Sequence, residues 1–599
     1  RTIIYNHWGG LKMSNLNNLR EVMKKENVDY YIIPSGDSHQ SEYVPEYYKG
    51  RAYVSGFTGS AGTLLVGIEE SYLWTDGRYF IQAEKELNGS GIKLMKMNIP
   101  GYPSLIEWIK NNVKEGKTLA FDGSTISTNE YKNYKELSEK NGFNIKMDKD
   151  FLNEIWSDRP ELSKEKIFIH DIKYCGRCTS EKLQEVRDEM KKLEGENYVI
   201  ASLDDIAWLF NIRGNDIAYN PVALAYALIS DNEAVLYIDE EKVANDDKRR
   251  LEAQGVTLKP YNDIYKDIKN VTESIIIDGA KVNGKLYYLI SEDVKIIENL
   301  NITTSLKAVK NEVEIKNMEV SQVRDGVAMV KFIKWLKENV GKINMTEISA
   351  SDKLEEIRAK GEYFKGLSFN TIAAYKDHAA MMHYSATEES QYELNSEGML
   401  LIDSGAQYLD GTTDITRTFI LGSITEEEKR DFTLVLKSHI ALATTIFLKG
   451  TNGCNLDAIA RRPLWKYGMD YKCGTGHGVG FFLNVHEGPQ GIRPFCNTIA
   501  LEPGMILTNE PGVYKENKHG IRTENTLLVT KAFKNDEMGE FYKFDTISYC
   551  PIDLEGVDVS LLDEEEREWL NNYHRTVYEK LSPYLTEEEK KFLEKETRS

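Results

Sequence analysis

Cysteine is scarce in this chain: six in 599 residues, at positions 175, 178, 454, 473, 496 and 550. So few, so widely scattered, cannot build a disulfide framework. Cys175 and Cys178 stand in a CGRC run, but no second CxxC accompanies it and Lys and Arg residues flank it, so it reads as a loop rather than a redox pair. No run of about 20 apolar residues occurs, which leaves nothing to span a membrane. Positive charge is in deficit, 75 Lys and Arg against 95 Asp and Glu, a net charge of -20. That balance argues against nucleic acid or an anionic membrane as the main partner. The chain begins at Arg1 rather than Met, so an N-terminal segment is expected to have been lost, and with it any targeting signal. The sequons at Asn88 and Asn344 occur at chance frequency and do not establish secretion. The expected location is the cytoplasm, with a lytic-vacuole or secretory address left open by that start.

What is present suits a large enzyme. With 41% hydrophobic and 28% charged residues, the chain can bury three or four separate cores. From about Leu11 an amphipathic helical pattern, NLNNLREVMKKENV, leads into the strand YYIIP, the glycine-rich YVSGFTGSAGT, two more strands and a helix. A weaker version recurs as EKLQEVRDEMKKL, WLFNIRGNDIAYNP, YALISD and AVLYID. We read an α/β fold present twice, with polar boundaries near WSDRPELSKEK and TTSLKAVKNEVEI, giving domains 1–155, 156–305 and 306–599. The third opens with a helical pattern from Glu312 to Glu338. A capping box, Thr425 with Glu428, starts another helix through about Phe447. The acidic segment from Asp563 onward reads as helical, with Trp569, Leu570, Tyr573, Val577 and Leu581 on one face.

Five residues of the third domain stand out. Asp403 closes the apolar run GMLLIDSGA, Asp414 lies in DGTTDITRTF, His477 in GTGHGVG, Glu510 opens EPGVY, and Glu524 is in GIRTEN. Alone, an Asp at a strand end is an ordinary turn former, and a His among glycines an ordinary loop residue. Together they differ, because carboxylates set in apolar strands are costly unless paired or metal-bound. Four carboxylates and one imidazole can neutralise two divalent cations, and a thiolate-free donor set favours a hard metal such as manganese. Two such cations can acidify a shared water for attack on a polarised carbonyl, the chemistry of a hydrolase. Period two puts Asp414, Thr416 and Thr418 on one strand face and Arg522, Glu524 and Thr526 on another. Asp403 and Asp414 should face each other across a hairpin turning near Leu409 to Gly411. Glycines beside His477 should let the backbone approach the metals closely.

The ordered set DSGAQYLDGTTDITRT, GTGHGVGFFLNVHEGP, NEPGVY and GIRTEN resembles the pita-bread metallopeptidases, specifically the eukaryotic three-domain Xaa-Pro aminopeptidases (aminopeptidase P). The resemblance extends through YVSGFTGSAGT, WTDGRYFIQAE and LDDIAWLFNIRGNDIAYNPV, nearly the whole chain. It implies an α/β (α+β) architecture of two creatinase-N-like domains followed by a pita-bread catalytic domain. It further implies removal of the first residue from peptides with proline second, and a homodimer formed through the catalytic domain. Asp403 would bind one metal, His477 and Glu510 the other, and Asp414 and Glu524 would bridge both. His383 in MMHYSA and His486 in NVHEGP resemble the histidines that bind substrate backbone and stabilise the tetrahedral intermediate, with Glu510 relaying the proton. Arg522 resembles the arginine that holds a ligand carboxylate, and Tyr514 would wall the proline pocket. Many relatives carry a second histidine four residues before the ligand; here that residue is Cys473, read as a bystander. Two other readings stay open: a prolidase that cuts only dipeptides, and a metal-free pita-bread binding protein.

Overall fold

The computed structural model describes residues 2–495 and 497–598; Cys496 lies outside the described residues. Its contacts divide it into two units, one comprising Arg1–Ile169, Cys178–Ala218 and Val222–Thr303, the other His170–Arg177, Tyr219–Pro221 and Thr304–Ser599. No helix among the described residues is long and apolar enough to cross a membrane.

The first unit contains two six-stranded sheets. In one, β1 (Tyr30–Ile33), β2 (Thr63–Gly67), β3 (Ser71–Thr75), β4 (Ile92–Lys96), β5 (Thr118–Phe121) and β6 (Asn144–Lys146) lie in the order 4-3-2-1-5-6. The other comprises β7 (Asn197–Ile200), β8 (Ala225–Ser230), β9 (Ala234–Ile238), β10 (Thr257–Lys259), β11 (Ser274–Ile277) and β12 (Lys295–Glu298), in the matching order 10-9-8-7-11-12. Both pair their first strand antiparallel to the second and parallel to the fifth. Equal strand order and equal strand directions establish the duplication that sequence alone carried weakly. The copies meet through equivalent turns: Thr128 N–H donates to the Val282 carbonyl while Gly284 N–H donates to that of Ile126, and Asn129 and Lys285 repeat the exchange with Gly279 and Gly123. Such reciprocal contacts are those of an isologous interface, in which one patch meets its own equivalent.

The second unit contains the long helix α1 (Glu312–Asn339), preceded by Asn311, whose side chain accepts from the Val313 and Glu314 amides. Its buried face, including Met329, Phe332, Ile333 and Leu336, packs with Leu400, Ile402 and Phe419 of a three-stranded sheet. That sheet is β13 (Ile372–Tyr375), β14 (Met399–Ser404) and β15 (Ile415–Ile420), with β14 central. Six further strands form a second sheet: β16 (Ile446–Leu448), β17 (Gly476–Gly478), β18 (Glu487–Ile492), β19 (Ile506–Asn509), β20 (Asn525–Asn535) and β21 (Gly539–Thr546), in the order 16-21-20-19-17-18.

Two expectations need correction. The helix capped by Thr425 ends at Ala443, not Phe447; Phe447 lies instead in β16, opposite Tyr542, where its ring is buried beside Phe544. Cys175 ends a one-turn helix, Ile172–Cys175, because Asp171 caps its start and Gly176, at φ +74°, ends it; Cys178 is the N-cap residue of Thr179–Lys192. Neither thiol forms a disulfide. The closing segment is two helices, Glu564–Leu581 and Glu587–Thr597, and the expected apolar face of the first is buried at Leu570, Tyr573, Val577 and Leu581.

Candidate active site

The five acidic and imidazole residues converge where the two sheets of the second unit meet. Asp403 is the penultimate residue of β14 and Asp414 immediately precedes β15. The hairpin register differs from the expected one: Asp403 pairs with Thr416, not Asp414, because residues 406–412 form two short strands of their own before the chain returns. Glu524 leads into β20, and its N–H donates to the Thr416 carbonyl. His477 sits in β17 and Glu510 follows β19, its N–H donating to the Thr475 carbonyl. The glycines flanking His477 are required by the sheet itself. A Cβ on Gly476 would lie 1.9 Å from the Thr508 carbonyl oxygen and one on Gly478 2.3 Å from that of Glu487, so they admit neighbouring strands.

One donor atom from each of Asp403, Asp414 and Glu524 falls within 4.8 Å of the others, and the same holds for His477, Glu510 and Glu524 and for Asp414, His477 and His486. His477 Nδ1 lies 2.9 Å from the Gly478 carbonyl, which can only accept, so Nδ1 carries a proton and Nε2 faces Asp414 Oδ2 at 3.3 Å and Glu510 Oε1 at 3.4 Å. A carbonyl partner on one nitrogen leaves the other for a metal. Asp403 accepts from Arg522 Nη2 through Oδ2 at 2.7 Å, and its buried Oδ1 has no hydrogen-bond partner among the described residues. An orphaned carboxylate oxygen inside a ring of oxygen donors fits a hard cation.

Electrostatics point the same way. Burial pushes Glu524 well above the usual carboxylate range, and Asp414, Glu510 and Asp403 push it further. Asp414 and Glu510 are raised as well, burial leading in each case. Burial works against the charge on His477, but the Asp414 hydrogen bond and the Glu510 carboxylate outweigh it and raise the imidazole to about 9. Without added cations, this pocket can hold its carboxylates only by binding protons.

Arg522 supports the cradle beyond Asp403: Nη1 donates to the Tyr514 hydroxyl at 2.6 Å and Nε to Thr416 Oγ1 at 3.2 Å. His486 is exposed, its ring edge-on to His477 with centroids 4.5 Å apart. His383 is exposed in a turn beyond the short 3-10 helix Lys376–Ala380 and belongs to none of the three donor groups. Cys473 stands four residues before His477; burial first, then Glu510, push its thiol up to about 11.

Sequence reasoning missed the residues that aim these carboxylates. Thr416 Oγ1 donates to Glu524 Oε2 at 2.6 Å and Thr508 Oγ1 to Glu510 Oε1 at 2.9 Å. Thr416 shares a strand face with Asp414, a signal that period two already carried. Arg417, also missed, is fully buried and donates to the backbone carbonyls of Thr416, Glu524 and Cys550 and to the Tyr573 hydroxyl. It ties the closing helix to the cradle.

Residues 316–531 match Metallopeptidase family M24 and 540–599 its C-terminal region, while 15–146 and 158–314 each match a Creatinase/Prolidase N-terminal domain. The chain is 42% identical over 600 residues to the probable Xaa-Pro aminopeptidase P of Talaromyces marneffei, spanning 97% of this chain and 91% of that protein. The chain belongs to the Xaa-Pro aminopeptidase family of M24 metallopeptidases. A second member, the probable Xaa-Pro aminopeptidase P of Paracoccidioides brasiliensis, is 41% identical over 97% of this chain and 98% of its own. Among solved members, an X-prolyl aminopeptidase from Caenorhabditis elegans, described as a cytosolic enzyme with a di-nuclear active site, matches at TM-score 0.92 and 34% identity, over 98% of this chain and 99% of that one. The fold is therefore two creatinase-N-like α/β domains followed by a pita-bread metallopeptidase domain.

Proposed function

We infer that this chain is an Xaa-Pro aminopeptidase, hydrolysing the bond between the first residue and a proline at the second position. One observation carries the reading: four carboxylates and two imidazoles, those of His477 and His486, bring their donor atoms into three overlapping groups. Proline makes the scissile bond a tertiary amide without N–H, so a site that grips that N–H would fail on it.

Two divalent cations, when bound, acidify a water and polarise the scissile carbonyl. Asp414 and Glu524 would be shared between them, Asp403 would hold one, and His477 and Glu510 the other. Arg522 keeps Asp403 in place, and Thr416 and Thr508 fix Glu524 and Glu510. Glu510 takes the proton of the attacking water and passes it to the leaving proline nitrogen. His383 and His486 bind the substrate backbone and hold the developing oxyanion. Tyr514, anchored by Arg522, walls the proline pocket, and the substrate amine lies near Asp403. The oxygen-rich donor set favours manganese.

The same proposal includes a homodimer through the catalytic domain, a cytoplasmic location and a division at 1–155, 156–305 and 306–599. The two matching sheets and the matched spans 15–146 and 158–314 support that division. The test is cleavage of Xaa-Pro dipeptides, Xaa-Pro-Yaa tripeptides and longer peptides, with and without added manganese. Release of Xaa from all lengths is expected. Activity confined to dipeptides would make the chain a prolidase, and metal-independent peptide binding without turnover would make it a binding protein.

A further inference from the structure

Glu347 is the first residue of the helix Glu347–Ala359, a place where an acidic side chain ordinarily points into solvent and favours the helix N-terminus. Here it is fully buried. Its carboxylate gathers four donors: the Tyr375 N–H at 2.7 Å, His378 Nδ1 at 2.9 Å, the Tyr384 hydroxyl at 2.8 Å and the Tyr392 N–H at 2.9 Å. The His378 ring stacks on both tyrosines, with centroids 3.5 Å from Tyr392 and 4.3 Å from Tyr384. A buried carboxylate is tolerated when its lone pairs are filled in this way.

The four donors bracket His383. Tyr375 ends β13, whose Ile372 pairs with Asp403; His378 lies in the following turn, Lys376–Ala380; Tyr384 directly follows His383; Tyr392 lies beyond. One carboxylate thus gathers the segment 375–392 from both ends. The turn also presses on the strand His519–Arg522: a Cβ on Gly520 would lie 1.7 Å from the Ala379 carbonyl oxygen. His383 is exposed, so its own burial does not fix its place.

We propose that Glu347 is a positioning residue, which sets the 375–392 segment so that His383 meets the substrate; this rests on the aminopeptidase reading above. It touches neither substrate nor metal and acts through His378 and Tyr384. Nothing in the chemistry of a carboxylate in a helix's first turn would assign that role from sequence.

The test compares full-length, manganese-loaded wild type with Glu347→Gln, Tyr384→Phe, His383→Ala and Glu347→Gln/His383→Ala. Three quantities are read: hydrogen exchange across 375–392 by mass spectrometry, bound metal, and kcat and KM on an Xaa-Pro-Yaa tripeptide. Glu347→Gln should raise exchange in that segment about tenfold or more and lower kcat/KM by about tenfold, with metal content unchanged. The double variant should be no worse than His383→Ala alone, because both changes remove the same function. Tyr384→Phe deletes one hydrogen bond without emptying the core, and should give a smaller effect in the same direction if Glu347→Gln fails to fold. Unchanged exchange in either variant, or losses that add independently in the double variant, would overturn the proposal. A wild type that leaves Xaa-Pro peptides uncut would overturn the aminopeptidase reading instead, while the exchange comparison still decides whether Glu347 sets the segment.

Discussion

Buried charge is handled in opposite ways in the middle α/β domain and in the catalytic cradle. In the former, Lys242 Nζ meets Asp216 Oδ2 at 2.5 Å, both side chains almost wholly buried: one cation for one anion. The catalytic domain contains a similar balanced pair away from the cradle, Arg358 on Asp325 through two bonds of 2.9 and 3.0 Å. In the cradle, four carboxylates face Arg522 and His477, and burial pushes Asp414, Glu510 and Glu524 up in pKa. A balanced pair is neutral within the fold, although Asp216 Oδ1 and Arg358 Nη1 have no hydrogen-bond partner among the described residues, whereas the cradle has an excess of negative charge that the fold does not neutralise. Buried charge therefore marks function through its imbalance rather than its presence.

The hardest test of that distinction removes a carboxylate on the unbalanced side. Asp414→Ala or Glu524→Ala should abolish turnover by several orders of magnitude and lower metal content, since a carboxylate shared by two cations neutralises both and fixes their separation. Metal analysis beside peptide cleavage checks it; two bound metals with wild-type activity in either variant would refute the assignment. On the balanced side the expected result is different. Asp216→Ala leaves Lys242 buried without its partner and should cost about 3–5 kcal/mol in stability, read as a lower unfolding midpoint, with metal content per folded molecule unchanged. A loss of metal without a shift in midpoint would break the comparison.

What sequence could disclose follows the same division. The cradle was legible because each of its carboxylates stands at the end of an apolar strand or directly beside one, and a charge in such a place is conspicuous whatever the topology. The register was not: the Asp403 and Asp414 hairpin was foreseen, but two short strands between them move Thr416 opposite Asp403, and nothing in the spacing announces that detour. Glu347 was invisible for the converse reason. An acidic residue at a helix start looks solvated, and only the tertiary fold brings Tyr375, His378, Tyr384 and Tyr392 around it. The duplicated α/β domains fall between. Their strands were readable one by one, but strand order and the reciprocal turn contacts depend on pairing over long separations. The end of the Thr425-capped helix was misplaced because Phe447 continues the apolar pattern, yet its burial is won in a sheet.

A smaller effect tests the imbalance by titration. In the metal-free protein His477 is raised from its usual value to about 9, so the stability it contributes is fully present below its unfolded pKa near 6.5 and is lost as pH rises through 9. Asp414, Glu510 and Glu524 are also raised, and their contribution is likewise lost as pH rises. The signs agree. Chelator-treated protein should melt at progressively lower temperature between about pH 6.5 and 9, and added manganese should reverse the trend, since metal binding releases the protons the cradle holds. Thermal unfolding across that range, with and without metal, checks it; a metal-free midpoint that rises with pH would contradict the charge excess.

The smallest expected effect is at Cys473. Burial first and the Glu510 charge second hold its thiol near 11, against the pull of Arg522 and Arg461, so almost no thiolate exists at neutral pH to relay a proton. Its position is held by backbone rather than sulfur: Arg461 Nη2 donates to the Cys473 carbonyl at 2.8 Å. Two residues on, the Thr475 carbonyl accepts from the Glu510 N–H at 2.7 Å. Removing the sulfur leaves both contacts available. Cys473→Ala should therefore keep turnover within about twofold, with the pH profile and metal content unchanged. Cys473→His sharpens the question, because an imidazole there supplies a base at neutral pH; a shifted profile with unaltered metal content would show that the position can serve a relay which the thiol does not. A large loss of turnover in Cys473→Ala with both metals retained would make the thiol a participant, and would extend the functional cluster to Cys473.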